Sequence, residues 1–256
     1  MKGFFIWFEQ RSGSSYLVSL LNSHPEIDCR GEMFGARRET RSETTREFRE
    51  NAYGRTINLF PGHIANPSDE QSSQQLEDWL NEDKQDSEIH GFKFKHPSQH
   101  GLYSEVTKLL LQNADTLRLV VLQRQNFLRR AISLLNMQRL QAMRSTSNTK
   151  SNVQLPPLVA DVKEVVRLAK YYADSQTAFL DFAKYFPQKI ELEFEGLCKT
   201  PEEHGQQLQE FLGVKKVLPL TGQLKRITPE SIPDAVANFA ELKAELESAG
   251  LDNYLR

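Results

Sequence analysis

Six consecutive residues, Gln10, Arg11, Ser12, Gly13, Ser14 and Ser15, stand between an apolar run at 4–8 and the helically spaced Tyr16, Leu17, Val18, Leu20 and Leu21. A strand that passes into a helix through such a loop aims unpaired backbone N–H groups and the positive helix end at one spot, and that spot suits an anion. Gly13 permits close backbone approach, and the three Ser add hydroxyl donors. Arg11 adds a cation whose fork geometry fits phosphate or sulfate oxygens. A serine-rich turn without function would have the same composition, so this segment alone decides nothing.

These residues depart from the nucleotide loop GxxxxGK[ST] at two positions. With Gly13 as its second glycine, the first would fall at Phe8 and the lysine at Ser14. The lysine that reaches the β and γ phosphates is therefore missing, and no convincing Mg²⁺ carboxylate follows the apolar run at 117–122. Other polar residues lie beside the ends of apolar runs: Cys29-Arg30-Gly31-Glu32-Met33-Phe34 after the first helix, and Lys93 and Lys95 with His96 and His100. A basic stretch continues from Gln123-Arg124-Gln125-Asn126 to Arg129, Arg130 and Ser133.

The elements that must position these groups follow from periodicity and punctuation. Residues 4–8 form a buried first strand, and Pro25 closes the first helix. Alternation of Phe92 and Phe94 makes 89–95 a strand, and the unbroken apolar run at 117–122 is a strand covered on both faces. A further strand spans 189–194. Helices are expected at 74–80, 104–111, 126–143, 159–185, 201–212 and 232–249. The arginine-rich segment 36–75 reads as an insertion of short helices and loops over the site, and polar 145–157 as a mobile loop. Strands alternating with helices give an α/β fold with a mainly parallel sheet and helices on both faces. One domain over 1–256 is expected, with no internal repeat.

Composition narrows the setting. The 32 Lys and Arg against 34 Asp and Glu leave a formal charge of -2, so no global basic field points to nucleic acid. No stretch approaches the roughly 20 apolar residues that span a bilayer. Cys29 and Cys198 lack zinc-ligand spacing and do not suggest a disulfide framework, so no metal and a reducing, cytoplasmic setting are expected.

The loop Gln-Arg-Ser-Gly-Ser-Ser resembles the 5′-phosphosulfate loop of sulfotransferases that use 3′-phosphoadenosine 5′-phosphosulfate (PAPS). The form with Arg11 looks most like the bacterial carbohydrate and glycolipid group, the trehalose-type enzymes included. The resemblance continues in Arg124 and Ser133, which match the strand-end Arg and helix Ser of the family's 3′-phosphate site. Their separation is nine residues where many members have eight. It extends to the run Glu193-Phe194-Glu195-Gly196-Leu197 with Thr200-Pro201-Glu202, where Phe194 replaces the family's Tyr and Thr200 caps a helix. Lys225 and Arg226 resemble the family's late basic loop, and a solvated charge pair would look the same.

The resemblance implies a P-loop-like three-layer α/β/α sandwich, PAPS as donor with PAP as product, and sulfuryl transfer without a metal. Its donor residues would be Arg11, Ser12, Gly13, Ser14, Ser15, Arg124, Ser133, Lys225 and Arg226. Glu32 matches the Gly-Glu-x-Phe segment where the carbohydrate group places its catalytic carboxylate, and would take the acceptor's proton. The plain alternative is a loop Glu paired with Arg30. Catalysis is expected from Glu32, Arg11 and Lys93, with His96 or His100 as the runner-up base. The acceptor is expected to be a sugar or glycolipid hydroxyl. A tyrosyl or phenolic acceptor, a small-molecule kinase, a noncatalytic nucleotide-binding module and a homodimer stay open.

Overall fold

The computed structural model describes residues 3–34, 48–50, 56–58, 68–82, 89–96, 104–142, 155–222, 224 and 228–255. In chain order the elements are β1 (Gly3–Phe8), α1 (Ser14–Leu21), β2 (Ile27–Glu32), β3 (Phe48–Glu50), β4 (Thr56–Asn58), α2 (Asp69–Asn81), β5 (Ile89–Lys95), α3 (Ser104–Gln112) and β6 (Arg118–Gln123). There follow α4 (Phe127–Ala142), α5 (Val162–Ala183), β7 (Lys189–Glu193), α6 (Phe194–Lys199), α7 (Pro201–Leu212), α8 (Ile232–Ala235), α9 (Phe239–Ser248) and a 3₁₀ turn, Asp252–Leu255. They gather into two compact units, Met1–Gln123 with Phe179–Gly222 and Arg124–Ala178 with Gln223–Arg256.

The first unit is built on a sheet of order β2-β5-β1-β6-β7, in which every neighbouring pair runs parallel. Odd and even residues of β1 serve opposite faces. Phe5 and Trp7 join Phe92, Phe94, Leu119 and Val121 against Leu76 and Trp79 of α2, Val106 and Leu110 of α3, and Phe179. Phe4, Ile6 and Phe8 join Ile27, Cys29, Val120 and Leu122 against Leu17 and Leu21 of α1, Leu197 of α6 and Leu208 of α7. The unit is thus a three-layer α/β/α sandwich, and the apolar runs at β1 and β6 are unbroken because both of their faces are covered. The edge strand β7 carries exposed Glu191 and Glu193, charges that oppose pairing with a foreign strand.

The second unit is helical. Its core joins Phe127, Leu128, Ala131 and Ile132 of α4 to Val165, Ala169 and Tyr172 of α5, and to Ile232, Val236, Leu242 and Leu246. None of the described helices is long and apolar enough to cross a membrane.

Several elements differ from expectation. The single helix expected at 232–249 is broken, because Val236 forms a parallel bridge with Leu158 and Asn238 clamps both backbone groups of Ala160 at 2.8 and 2.9 Å. The same contacts draw residues 158–160 out of α5. The helix α2 starts earlier than its apolar spacing suggests, since Ser68 and Gln71 form a reciprocal capping box ahead of a polar first turn. Within 36–75 the described residues include the antiparallel pair β3–β4 as well as the start of α2. Residues 145–154 lie outside the described residues. The strand β2 and the short α6 are additions.

Candidate functional site

The turn after β1 is tight. The Ser12 N–H donates to the Glu9 carbonyl at 3.2 Å, and the Tyr16 and Leu17 N–H groups both donate to Gly13 O. Arg11 takes φ 65 and Gly13 φ 91, so two of three neighbouring residues are left-handed. For Arg11 this conformation carries strain of about 1–3 kcal/mol, which the surrounding packing must hold. Gly13 is the N-cap of α1 and offers no side-chain cap, and the helix has no acid in its first turn. The first amides of α1 have no intrahelical acceptor and the dipole end is uncompensated. Ser12 is 1% exposed and, among the described residues, its Oγ has no hydrogen-bond partner. A buried hydroxyl left unpaired costs about 1–3 kcal/mol, and an anion seated on the loop is a group that would pair it.

One further side chain of the first unit, that of Lys93, meets this loop. Lys93, half-buried on β5, donates from Nζ to Ser15 Oγ at 3.2 Å and lies 5.2 Å from the centre of the Phe8 ring. Lys95, two residues on along the same strand, is exposed, so burial distinguishes the two lysines. Glu32 is the register partner of Lys93 across β2 and β5, with a bulge between Cys29 and Glu32. Cys29 pairs with Gly91, two residues before Lys93, whereas Glu32 lies three residues after Cys29. That one extra residue turns Glu32 to the sheet face of Lys93 and α1; an unbroken register would have set Gly31 there.

The strand carrying Glu32 is fixed from α1. Asn22 gives Nδ2 to the Cys29 carbonyl and accepts the Cys29 N–H on Oδ1, both at 2.8 Å. Arg30 is bound at 2.9 and 3.0 Å to the carboxylate of Glu82, which takes away the expected alternative partner of Glu32. Burial, with Asp28 adding, pushes the Cys29 thiol well above its ordinary range, so this cysteine is a packed apolar group and no nucleophile.

His96 follows β5 and its N–H donates to Phe8 O at 2.8 Å. Its ring packs edge-on against Trp7 at 5.0 Å and Phe179 at 5.9 Å, on the α2 and α3 side of the sheet. Burial lowers its pKa, with Glu9 partly opposing. His100, Lys225 and Arg226 lie outside the described residues.

Arg124 and Ser133 belong to the second unit. Arg124 is half-buried directly after β6, and Ser133 is buried in the second turn of α4. Arg130, part of the basic stretch, is 2% exposed, with its guanidinium 3.9 Å from the centre of the Tyr172 ring. Its spacing from Ser133 and Asn136, three and six residues, carries that signal, since both of those are buried too. Thr200 does not cap α7 through its side chain; its hydroxyl meets His204 Nδ1 at 3.0 Å. Pro201 opens that helix as expected. Phe194, expected to end the strand at 189–194, is instead the first residue of α6. Its ring lies against Gly13, whose Cβ, if present, would be 2.1 Å from Phe194 Cδ2. No periodicity announces a contact between positions so far apart. Among the described residues no group of three or more His, Cys, Asp or Glu is placed to hold a metal ion.

A protein-family model described as the sulfotransferase family matches residues 3–217. Among solved structures, the chain is similar to a sulfotransferase from Alicyclobacillus acidocaldarius at 18% identity and a TM-score of 0.49, with 98% of this chain and 93% of that one covered. It is similar to the sulfotransferase domain of the Synechococcus PCC 7002 olefin synthase at 14% identity and a TM-score of 0.43, covering 93% and 82%. No curated protein matches the chain.

Proposed function

Because the chain belongs to the sulfotransferase family, whose enzymes draw their sulfuryl group from PAPS, we propose that it transfers that group to a hydroxyl of a carbohydrate or glycolipid and releases PAP. The observation that carries this reading is the joining of Ser15, Lys93 and Glu32 through one hydrogen bond and one register pair. A loop suited to an anion, a cation touching that loop and a carboxylate opposite the cation on the neighbouring strand are the three parts an in-line sulfuryl transfer needs.

In this reading the amides of α1, the Ser12 hydroxyl and Arg11 hold the 5′-phosphosulfate. Lys93 faces the charge that grows on the sulfuryl oxygens and on the bridging oxygen. Glu32 accepts the proton of the acceptor hydroxyl while that oxygen bonds to sulfur and the bond from sulfur to the 5′-phosphate oxygen breaks. The electron pair of the broken bond leaves with PAP. Arg124 and Ser133 are proposed for the 3′-phosphate on the family pattern, and Lys225 and Arg226 as added contacts.

The test is PAPS turnover against a panel of neutral sugars, glycolipids, a tyrosyl peptide and simple phenols, with sulfated product read by mass. Sulfated sugar or glycolipid is expected. Product on the phenols or the peptide alone would move the acceptor to the tyrosyl or phenolic class. Stabilisation by ATP with Mg²⁺ but not by PAP would overturn the donor assignment.

A further inference from the structure

We infer that Phe194 is a positioning residue of the donor loop, acting through Gly13; the inference rests on the donor reading above. A Cβ built on Gly13 would lie 2.1 and 2.2 Å from Cδ2 and Cε2 of Phe194, so the ring sits in contact with the bare α-carbon. The ring is also edge-on to Tyr16, 6.3 Å between centres at 86°. On Tyr16 a second glycine closes the set, since a Cβ on Gly222 would meet Tyr16 Cε2 at 2.5 Å. Gly13, Phe194, Tyr16 and Gly222 are therefore one packed column. The loop meets it at the residue whose φ of 91 is left-handed.

The physical need for the ring follows from the glycine. A residue without Cβ visits left- and right-handed regions almost equally, so Gly13 by itself does not hold the turn. Arg11, also left-handed, disfavours the turn further. The phenyl ring fills the space into which the backbone of Gly13 would relax, and so keeps the first amides of α1 aimed at one point before the donor arrives. Without it the donor would have to order the loop as it binds, and affinity would fall. The close approach that the sequence suggests for an anion at Gly13 is, on this side of the α-carbon, taken by Phe194. Anion contact is left to the amide side of the turn.

Phe194→Ala is expected to weaken PAP and raise KM for PAPS by roughly 10-fold, with a smaller change in kcat and none in KM for the acceptor. Phe194→Tyr keeps the ring and should restore wild-type values. Gly13→Ala should abolish PAP binding in the native background and lose less on top of Phe194→Ala, because the clash with the ring is gone. Hydrogen exchange at the amides of residues 13–15, measured without ligand, should speed up in Phe194→Ala alone. That last readout does not depend on the donor: wild-type protein that ignores PAP overturns the donor reading, while unchanged exchange in Phe194→Ala overturns the role of the ring. Strict additivity of the Gly13 and Phe194 losses, or PAP affinity within about two-fold of wild type in a folded Phe194→Ala, would also overturn it.

Discussion

Glu32 and Lys93 stand opposite each other on β2 and β5 because β2 carries one extra residue between Cys29 and Glu32. The bulge re-aims a carboxylate that simple alternation would send to the α2 and α3 side of the sheet, where Met33 and Phe34 go instead. If Glu32 takes the acceptor proton, Glu32→Gln keeps size and hydrogen bonding and removes basicity. Turnover should then fall by roughly 10²–10⁴-fold while PAP affinity barely changes. Near-normal turnover in that variant, paired with an inactive but folded His96→Asn, would move the base role to the histidine.

The two lysines of β5 differ in burial and should differ in effect. Lys93→Met removes the cation that touches Ser15 and should lower kcat by roughly 10²-fold. Lys95→Met removes an exposed charge and should leave kcat within about two-fold, since exposed charges away from the site contribute little. Equal losses in the two variants would separate Lys93 from the chemistry.

Donor recognition is tested at Arg124. Replacing it by Ala should weaken PAP by about 1.5–3 kcal/mol and a nucleotide lacking the 3′-phosphate far less, as a charge-assisted contact would predict. Titration calorimetry with both nucleotides decides the matter, and equal losses would show that Arg124 does not read the 3′-phosphate.

Burial holds the pKa of His96 below the ordinary imidazole value of 6.5. The unfolded chain therefore binds a proton on this residue at a pH where the folded chain does not. The contribution of His96 to stability is whole above 6.5 and declines as pH falls from there toward the lowered folded value. Urea midpoints measured from pH 5 to pH 8 should show that decline in the native protein and a shallower one in His96→Asn. Identical slopes would mean that His96 titrates alike in both states.

How far the fold can be read from residues depends on the range of the interaction that makes each element. The strand β5 is found at its observed ends because Phe92 and Phe94 alternate with Lys93 and Lys95, and α7 because Pro201 opens it and Gly213 takes the left-handed position after it. These are local signals. By contrast β2 alternates Asp28 and Arg30 with its buried residues and then slips register, so neither its pattern nor its bulge is apparent before β5 is laid beside it. The break between α8 and α9 depends on Leu158, and Gly13 meets Phe194 only once the chain has folded. In the candidate site the loop residues are evident from their types. The partnership of Lys93 with Ser15, and of Arg30 with Glu82 rather than Glu32, belongs to tertiary structure alone.

The sheet order has a consequence for how the protein is made. β1 lies at the centre, and its partners β5 and β6 begin at Ile89 and Arg118. All six residues of β1 are buried in the finished fold, and their sequence, GFFIWF, carries no charge and no proline. At a synthesis rate of about 5–20 residues per second, this segment waits roughly 6–20 seconds on the ribosome before the strand that completes its pairing has been made. A short, uncharged, aromatic stretch left uncovered for that long is a site for wrong association between nascent chains. The yield of folded protein should thus depend on what shields residues 3–8 during translation.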